Sequence, residues 1–142
     1  MEIKKVLLPI DGSDRSKRTI RMVKRVCRPE ECEIYIVKVI GAQLYINSME
    51  EIKLRAEQAA PELEEVANML PEFTVHTQVL LGSAPGVEIA EYAREIGAAV
   101  IMLTRSSRGP LRKMGSVANY LVKNATFLDV FIMKEDPPEH AE

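Results

Sequence analysis

Five short apolar runs, each parted from the next by a segment of helical periodicity, are what most constrains this chain. The runs are KKVLLPI (Lys4–Ile10), EIYIVKVI (Glu33–Ile40), FTVHTQVLL (Phe73–Leu81), the stretch Ala98–Thr104, and FLDVFIM (Phe127–Met133). The first is nearly continuous in apolar residues, as a strand covered on both faces should be. Pro9 lacks a ladder donor and belongs at that strand's end. The second is rich in β-branched residues, which suit a pleated surface. The third puts Phe73, Val75, Thr77 and Val79 on one face and His76 on the other, the alternation of a half-exposed edge. Strict strand–helix alternation predicts a parallel sheet joined by right-handed crossovers. The expected fold is therefore α/β, a three-layer open sheet of five parallel strands in the order 3-2-1-4-5. Ligands of such sheets sit at the carboxyl ends of the strands where the order reverses, here between the first and fourth.

The intervening segments carry helix signals. From about Asp14 to Cys27, Ile20, Val23, Val26 and Cys27 form the expected buried stripe. Lys17, Arg18, Arg21, Lys24 and Arg25 face out, and a solvated face explains them better than nucleic acid does. Gly12 or Ser13 is placed to cap this helix. Gly41 to Asn47 is a linking loop containing Leu44, Tyr45 and Ile46. Ser48 and Glu51 have the spacing of a capping box, and Ile52, Ala56, Ala59, Leu63, Val66 and Leu70 keep helical spacing. Pro61 should kink or divide that helix, since an interior proline costs about 3 kcal/mol. Pro85 suits the first position of a third helix, Ile89, Ala90, Ala93 and Ile96 its buried stripe, and Gly97 its close. A last helix is read over Gly115–Asn124.

At 142 residues, with 46% hydrophobic and 28% charged residues, the chain reads as one globular domain over 1–134 with a flexible acidic tail over 135–142. A net charge of −2 argues against bulk nucleic-acid binding. No apolar run reaches the ~20 residues of a membrane span, and no secretion signal is read at the N-terminus. Cys27 and Cys32 form no metal motif and are read as reduced thiols of a cytoplasmic protein. His76 has no second ligand nearby in sequence and is read as a surface strand residue. No metal site and no catalytic residue is assigned.

The stretch Val100–Val117 carries the chemistry. An apolar strand opens into a loop with Arg105, Arg108, Arg112 and Lys113, then closes on Gly115-Ser116 at a helix start. The first N–H groups of a helix are unpaired and its N-terminal end is positive, so a phosphate is favoured there. With the expected strand order, Pro9, Ile10, Asp11, Gly12 and Ser13 converge on this loop.

These residues resemble the universal stress protein family. VLLPIDGSDRS is similar to that family's first strand and turn, where V-P-x-D-G-S is usual. IYIVKVI resembles its second strand, and GSAPGVEIAEYAREIGAAVIMLTRSSRG its G-x-P-x-x-x-I-x-x-x-A segment with the fourth strand and loop. GSVANYLVKNA resembles its G-S-V helix start, and DVFIMK its last strand. The resemblance implies a Rossmann-like adenine-nucleotide fold, usually dimeric. It places adenine and ribose by Asp11 and Val39, with Pro9 and Ile10 beside them. It places the phosphates by the loop at Leu103, Arg105, Ser106, Arg108 and Gly109 and by Gly115, Ser116 and Val117. The loop departs from the family's G-x2-G-x9-G-[ST]. Its two early glycines fall at Leu103 and Ser106, and eight residues rather than nine precede Gly115. Glycines there let backbone N–H groups approach phosphate oxygens. Their loss weakens the expectation of a triphosphate, and Arg105 and Arg108 could compensate by charge-assisted bonds.

The expected ligand is thus ATP or AMP, with ADP and a magnesium ion left open. The expected activity is at most slow hydrolysis. A homodimer is expected through the fifth strand, at Phe127, Val130, Phe131 and Met133, because an unpaired apolar edge invites a partner. Two alternatives stand. One is a dimeric interaction module of the same fold without nucleotide. The other is an ATP pyrophosphatase of the PP-loop type, faintly suggested by DGSDRS.

Overall fold

The computed structural model describes residues 2–11, 14–41, 48–105 and 115–134. Its elements alternate without exception: β1 (Lys4–Pro9), α1 (Asp14–Val26), β2 (Cys32–Gly41), α2 (Met49–Ala67), β3 (Thr74–Gly82), α3 (Pro85–Ile96), β4 (Val100–Arg105), α4 (Ser116–Asn124) and β5 (Asp129–Lys134). All four strand pairings are parallel, in the order β3-β2-β1-β4-β5. The expected fold class is the observed one. The expected caps at Gly12 and Ser13, the loop residues Leu44, Tyr45 and Ile46, and the tail 135–142 lie outside the described residues.

Two apolar layers hold the sheet. On one face Val6, Leu8, Ile34, Ile36 and Met102 pack with Ile20 and Val23 of α1 and Leu63 and Val66 of α2. On the other, Leu7, Val37, Ile101 and Leu103 pack with Ile89 and Ala93 of α3 and Ala118 and Leu121 of α4. Alternate residues of β1 and β4 thus serve opposite cores, which is why both strands read as continuous apolar runs.

The α1 stripe differs from expectation. Val26 is 54% exposed, while Ser16 and Thr19 are buried. The spacing 16, 19, 20, 23, 27 follows one helical face, and Val26 falls beside it in the last turn. The two small hydroxyl residues take the place that apolar counting had given to Val26.

Pro61 does not divide α2, which runs unbroken through it. Its ring removes the bond to the carbonyl of Glu57, and both residues are exposed, so water can satisfy that group. Ser48 is the N-cap, its hydroxyl accepting from the Glu51 N–H at 3.1 Å. Gly97 ends α3 with φ of 72°, a left-handed conformation that favours glycine. The Ala98 N–H bonds back to the Ala93 carbonyl at 2.9 Å, so β4 begins at Val100 rather than Ala98. On the other edge, the Asp129 N–H to Ala99 carbonyl bond opens the β4–β5 ladder, which starts β5 later than Phe127.

Cys27 and Cys32 are both free thiols. Burial, reinforced by the neighbouring Cys32, pushes Cys27 up to about 12, so it stays protonated at neutral pH.

At the amino ends of the strands, His76 stacks on Tyr35 with ring centroids 4.6 Å apart and its Nε2 lies 3.3 Å from Glu33 Oε1. His76 is a surface residue of the edge strand β3. The Tyr35 hydroxyl donates to Glu33 and holds that carboxyl below its ordinary value near 4.5, with His76 and Lys5 adding to the effect. The same bond pushes Tyr35 up to about 12. A lowered carboxyl value stabilises the fold above the unfolded value and loses that contribution as pH falls through the folded one. The urea midpoint of Glu33→Gln is therefore expected to lie below the parent's at pH 7, with the gap narrowing as pH falls through the carboxyl's lowered value.

Candidate functional site

A cleft of about 460 Å³ opens at the carboxyl ends of β1 and β4, where the strand order reverses. That volume falls within the range of small-molecule sites. Pro9, Ile10 and Asp11 enter it from the end of β1, Val39 from β2, Leu103 and Arg105 from β4, and Gly115, Ser116 and Val117 from the start of α4. Nine of the twelve residues singled out from the sequence therefore meet in one place. Ser106, Arg108 and Gly109, with Arg112 and Lys113, lie outside the described residues.

Eight lining residues were missed. They are Arg15, Ser16 and Thr19 of α1, Lys38 of β2, Pro85 and Ile89 of α3, Thr104 of β4 and Ala118 of α4. A signal existed for Arg15, which stands four residues after Asp11 with opposite charge. Ser16 and Thr19 were legible as members of the buried stripe once small polar residues are counted in it. Pro85, Ile89 and Ala118 enter only because α3 and α4 pack on the same sheet face.

The polar groups are ordered by α1. Arg15 Nη2 donates to Asp11 Oδ2 at 2.5 Å. Ser16 Oγ lies 3.4 Å from Asp11 Oδ1 and accepts from the Asp11 backbone N–H at 3.3 Å. Thr19 Oγ1 bonds to the Arg15 carbonyl at 3.2 Å and to Thr104 Oγ1 at 2.8 Å, tying α1 to the end of β4. Lys38 is ion-paired with Glu62 of α2. Arg15, Lys38 and Arg105 thus bring three cations to the described lining, against the single carboxylate of Asp11.

Gly115 is the N-cap of α4, with φ −59° and ψ 160°. That conformation is open to any residue, so backbone strain does not call for glycine here. Among the described residues, a Cβ added to Gly115 would meet nothing within 4 Å. The first N–H groups of this nine-residue helix have no partner within it, and their field favours an anion. The cleft joins apolar walls at Pro9, Ile10, Val39 and Leu103 to one carboxylate and one anion-favouring helix end. Such a site suits a ligand with a flat apolar part, hydrogen-bond donors and a negative group. Among the described residues, no three His, Cys, Asp or Glu side chains gather as metal ligands would, and no helix is long and apolar enough to cross a membrane.

Comparison with known proteins agrees with this geometry. The profile of the universal stress protein family matches residues 2–134. A universal stress protein of Methanocaldococcus jannaschii is 30% identical over 146 residues, covering 96% of this chain and 85% of that protein. The solved universal stress protein from Archaeoglobus fulgidus in complex with dAMP matches with a TM-score of 0.68 and 21% identity, over 94% of this chain and 100% of that one. A universal stress protein family member from Arabidopsis thaliana with AMP bound also gives a TM-score of 0.68, at 17% identity, over 98% of this chain and 96% of that one. With its sheet order, its cleft at the strand reversal and a family match along nearly its whole length, this chain belongs to the universal stress protein family.

Proposed function

We propose that this chain is a regulatory domain that binds an adenine nucleotide, ATP or AMP, in the cleft between β1 and β4, with little or no hydrolysis. The observation that carries the reading is the start of α4. There Gly115 leaves open the space a Cβ would fill, at a helix end that faces the same cleft as Asp11. A phosphate fits the helix N-terminus, and a carboxylate is the wrong group to meet it. The nucleoside therefore belongs at the Asp11 end, between Pro9, Ile10 and Val39. Adenine nucleotides bound to the Archaeoglobus and Arabidopsis family members support this reading. Asp11 is held by Arg15 and Ser16, an arrangement suited to recognition rather than proton abstraction. Ser106, Arg108 and Gly109 complete the proposed phosphate side.

Titration calorimetry with AMP, ADP and ATP tests this. Saturable binding near micromolar, about −8 kcal/mol, is expected for at least one of them. Gly115→Val should lose tenfold or more, because its side chain occupies the phosphate's space. Its stability should fall by only about 1 kcal/mol, the cost of a poorer N-cap, since no described residue packs there. No heat from any of the three at millimolar concentration would reject the reading.

A second surface has its own observation. β5 is an edge strand, with Phe131 50% exposed and Val130 half-buried. We propose that a second copy covers it. Met133 does not contribute, because it turns into the core shared with α1. Phe127 lies beneath the Arg94 guanidinium, 4.2 Å from its ring centroid.

A further inference from the structure

Two thiols stand at the end of α1 away from the cleft, where the helix passes the chain to β2. Cys27 is half-buried just beyond the last turn of α1, and Cys32, 8% exposed, opens β2. The turn between them is fixed by its own backbone. The Cys27 N–H bonds to the Val23 carbonyl at 2.9 Å. The Arg28 carbonyl accepts from the Glu31 N–H at 2.9 Å and from the Cys32 N–H at 3.0 Å. The Glu31 carbonyl in turn accepts from the Lys4 N–H of β1 at 2.9 Å. Neither end of the turn can shift without breaking one of these bonds. Both side chains pack into the apolar cluster under α1, and the Cys32 thiol lies within hydrogen-bonding reach of Cys27. Two cysteines join without backbone movement only where their side chains already point at each other, and these two do.

We propose that Cys27 and Cys32 are a reversible redox pair that closes to an internal disulfide by exchange with a small dialkyl disulfide, stapling the end of α1 to the start of β2. Cys27 is the more accessible and attacks first. Its sulfur bonds to one sulfur of the reagent, the reagent's S–S bond breaks, and one alkanethiol leaves with the Cys27 proton. The Cys32 sulfur then attacks the Cys27 sulfur of the mixed disulfide. The second alkanethiol leaves with the Cys32 proton. Two protein thiols are oxidised and one dialkyl disulfide is reduced to two thiols. The thiolate is the attacking form, and burial keeps it scarce at Cys27, so the exchange is slow at neutral pH and quickens as pH rises. The Lys4 ammonium works the other way and favours that thiolate. Neither cysteine lines the cleft, so the inference stands apart from the nucleotide reading.

The test equilibrates the folded parent chain at mildly alkaline pH with mixtures of bis(hydroxyethyl) disulfide and mercaptoethanol. The reaction is quenched with acid and the chain is weighed by mass spectrometry. The expected product is a monomer lacking two hydrogen atoms, with both thiols lost to alkylation together and both restored by excess mercaptoethanol. The same mixtures in urea should give a ratio of bridged to open chain at least tenfold lower, about 30 mV for a two-electron couple, because only the fold holds the sulfurs in contact. Cys32→Ala should stop as a mixed disulfide on Cys27. A parent chain that also stops there overturns the proposal, since Cys32 then fails to reach Cys27. So does a parent that links only to other chains, or one that keeps both thiols when folded. An equal ratio in urea overturns it as well, because the fold would then contribute nothing to the pairing.

Discussion

Gly86→Val is expected to destabilise the protein by about 3 kcal/mol and to lower its melting temperature by about 10 °C. Gly86 is buried in the first turn of α3. A Cβ there would stand 2.9 Å from Cβ, Cγ and Cδ1 of Tyr120 on α4. The Tyr120 Cβ is fixed to the α4 backbone, so the clash is relieved only by moving one helix away from the other. Both helices supply walls of the cleft, Pro85 and Ile89 from α3 and Ser116 and Val117 from α4. Nucleotide affinity should therefore fall with stability. Gly82 provides the control. A Cβ there would come 2.5 Å from Glu88, but only from its Cγ, Cδ and Oε1, the flexible end of a long side chain. Gly82→Ala should cost no more than about 0.5 kcal/mol. Urea denaturation measures both, with unchanged slopes required for a two-state comparison. Equal midpoints for Gly86→Val and the parent would refute the close helix contact.

The second large effect is in the buried hydroxyl pair. Thr19→Val removes one partner of the 2.8 Å bond and leaves the Thr104 hydroxyl buried beside a methyl group. The expected cost is about 1–3 kcal/mol, the penalty of an orphaned buried donor. Thr104→Val should cost less, because the Thr19 hydroxyl keeps its bond to the Arg15 carbonyl. The double variant, with two apolar groups of matching shape, should be more stable than the sum of the single changes predicts. A coupling of roughly 1 kcal/mol or more in the double-mutant cycle is expected. Strict additivity would show that the two hydroxyls do not depend on each other. Because Thr19 also bonds to the Arg15 carbonyl, its change removes that contact within α1 as well.

Element order, the parallel sheet and the place of the cleft at its reversal point were legible in the residues alone. Those follow from local patterns. Continuous apolar runs mark strands covered on both sides, and helical spacing marks the faces between them. Pro85 and Gly97 also bracket α3 through their own backbone preferences. Position in a doubly wound sheet then brings Asp11 and Gly115 to one cleft without knowledge of any contact.

Local patterns failed where the outcome depended on what lies opposite. Apolar spacing places Val26 in the core, but the inward face of α1 passes through Ser16 and Thr19. Burial of those hydroxyls is tolerable only because Asp11 and Thr104 meet them, and Thr104 is 85 positions away from Thr19. Whether Pro61 divides α2 was likewise decided by exposure, since Glu57, whose carbonyl loses its helical bond, is an exposed residue. Met133 shares a face of β5 with the exposed Phe131, yet packs into the α1 side of the core. Only tertiary structure could assign these places. A polar group is buried or left exposed according to the partner it finds, and that partner comes from a distant part of the chain.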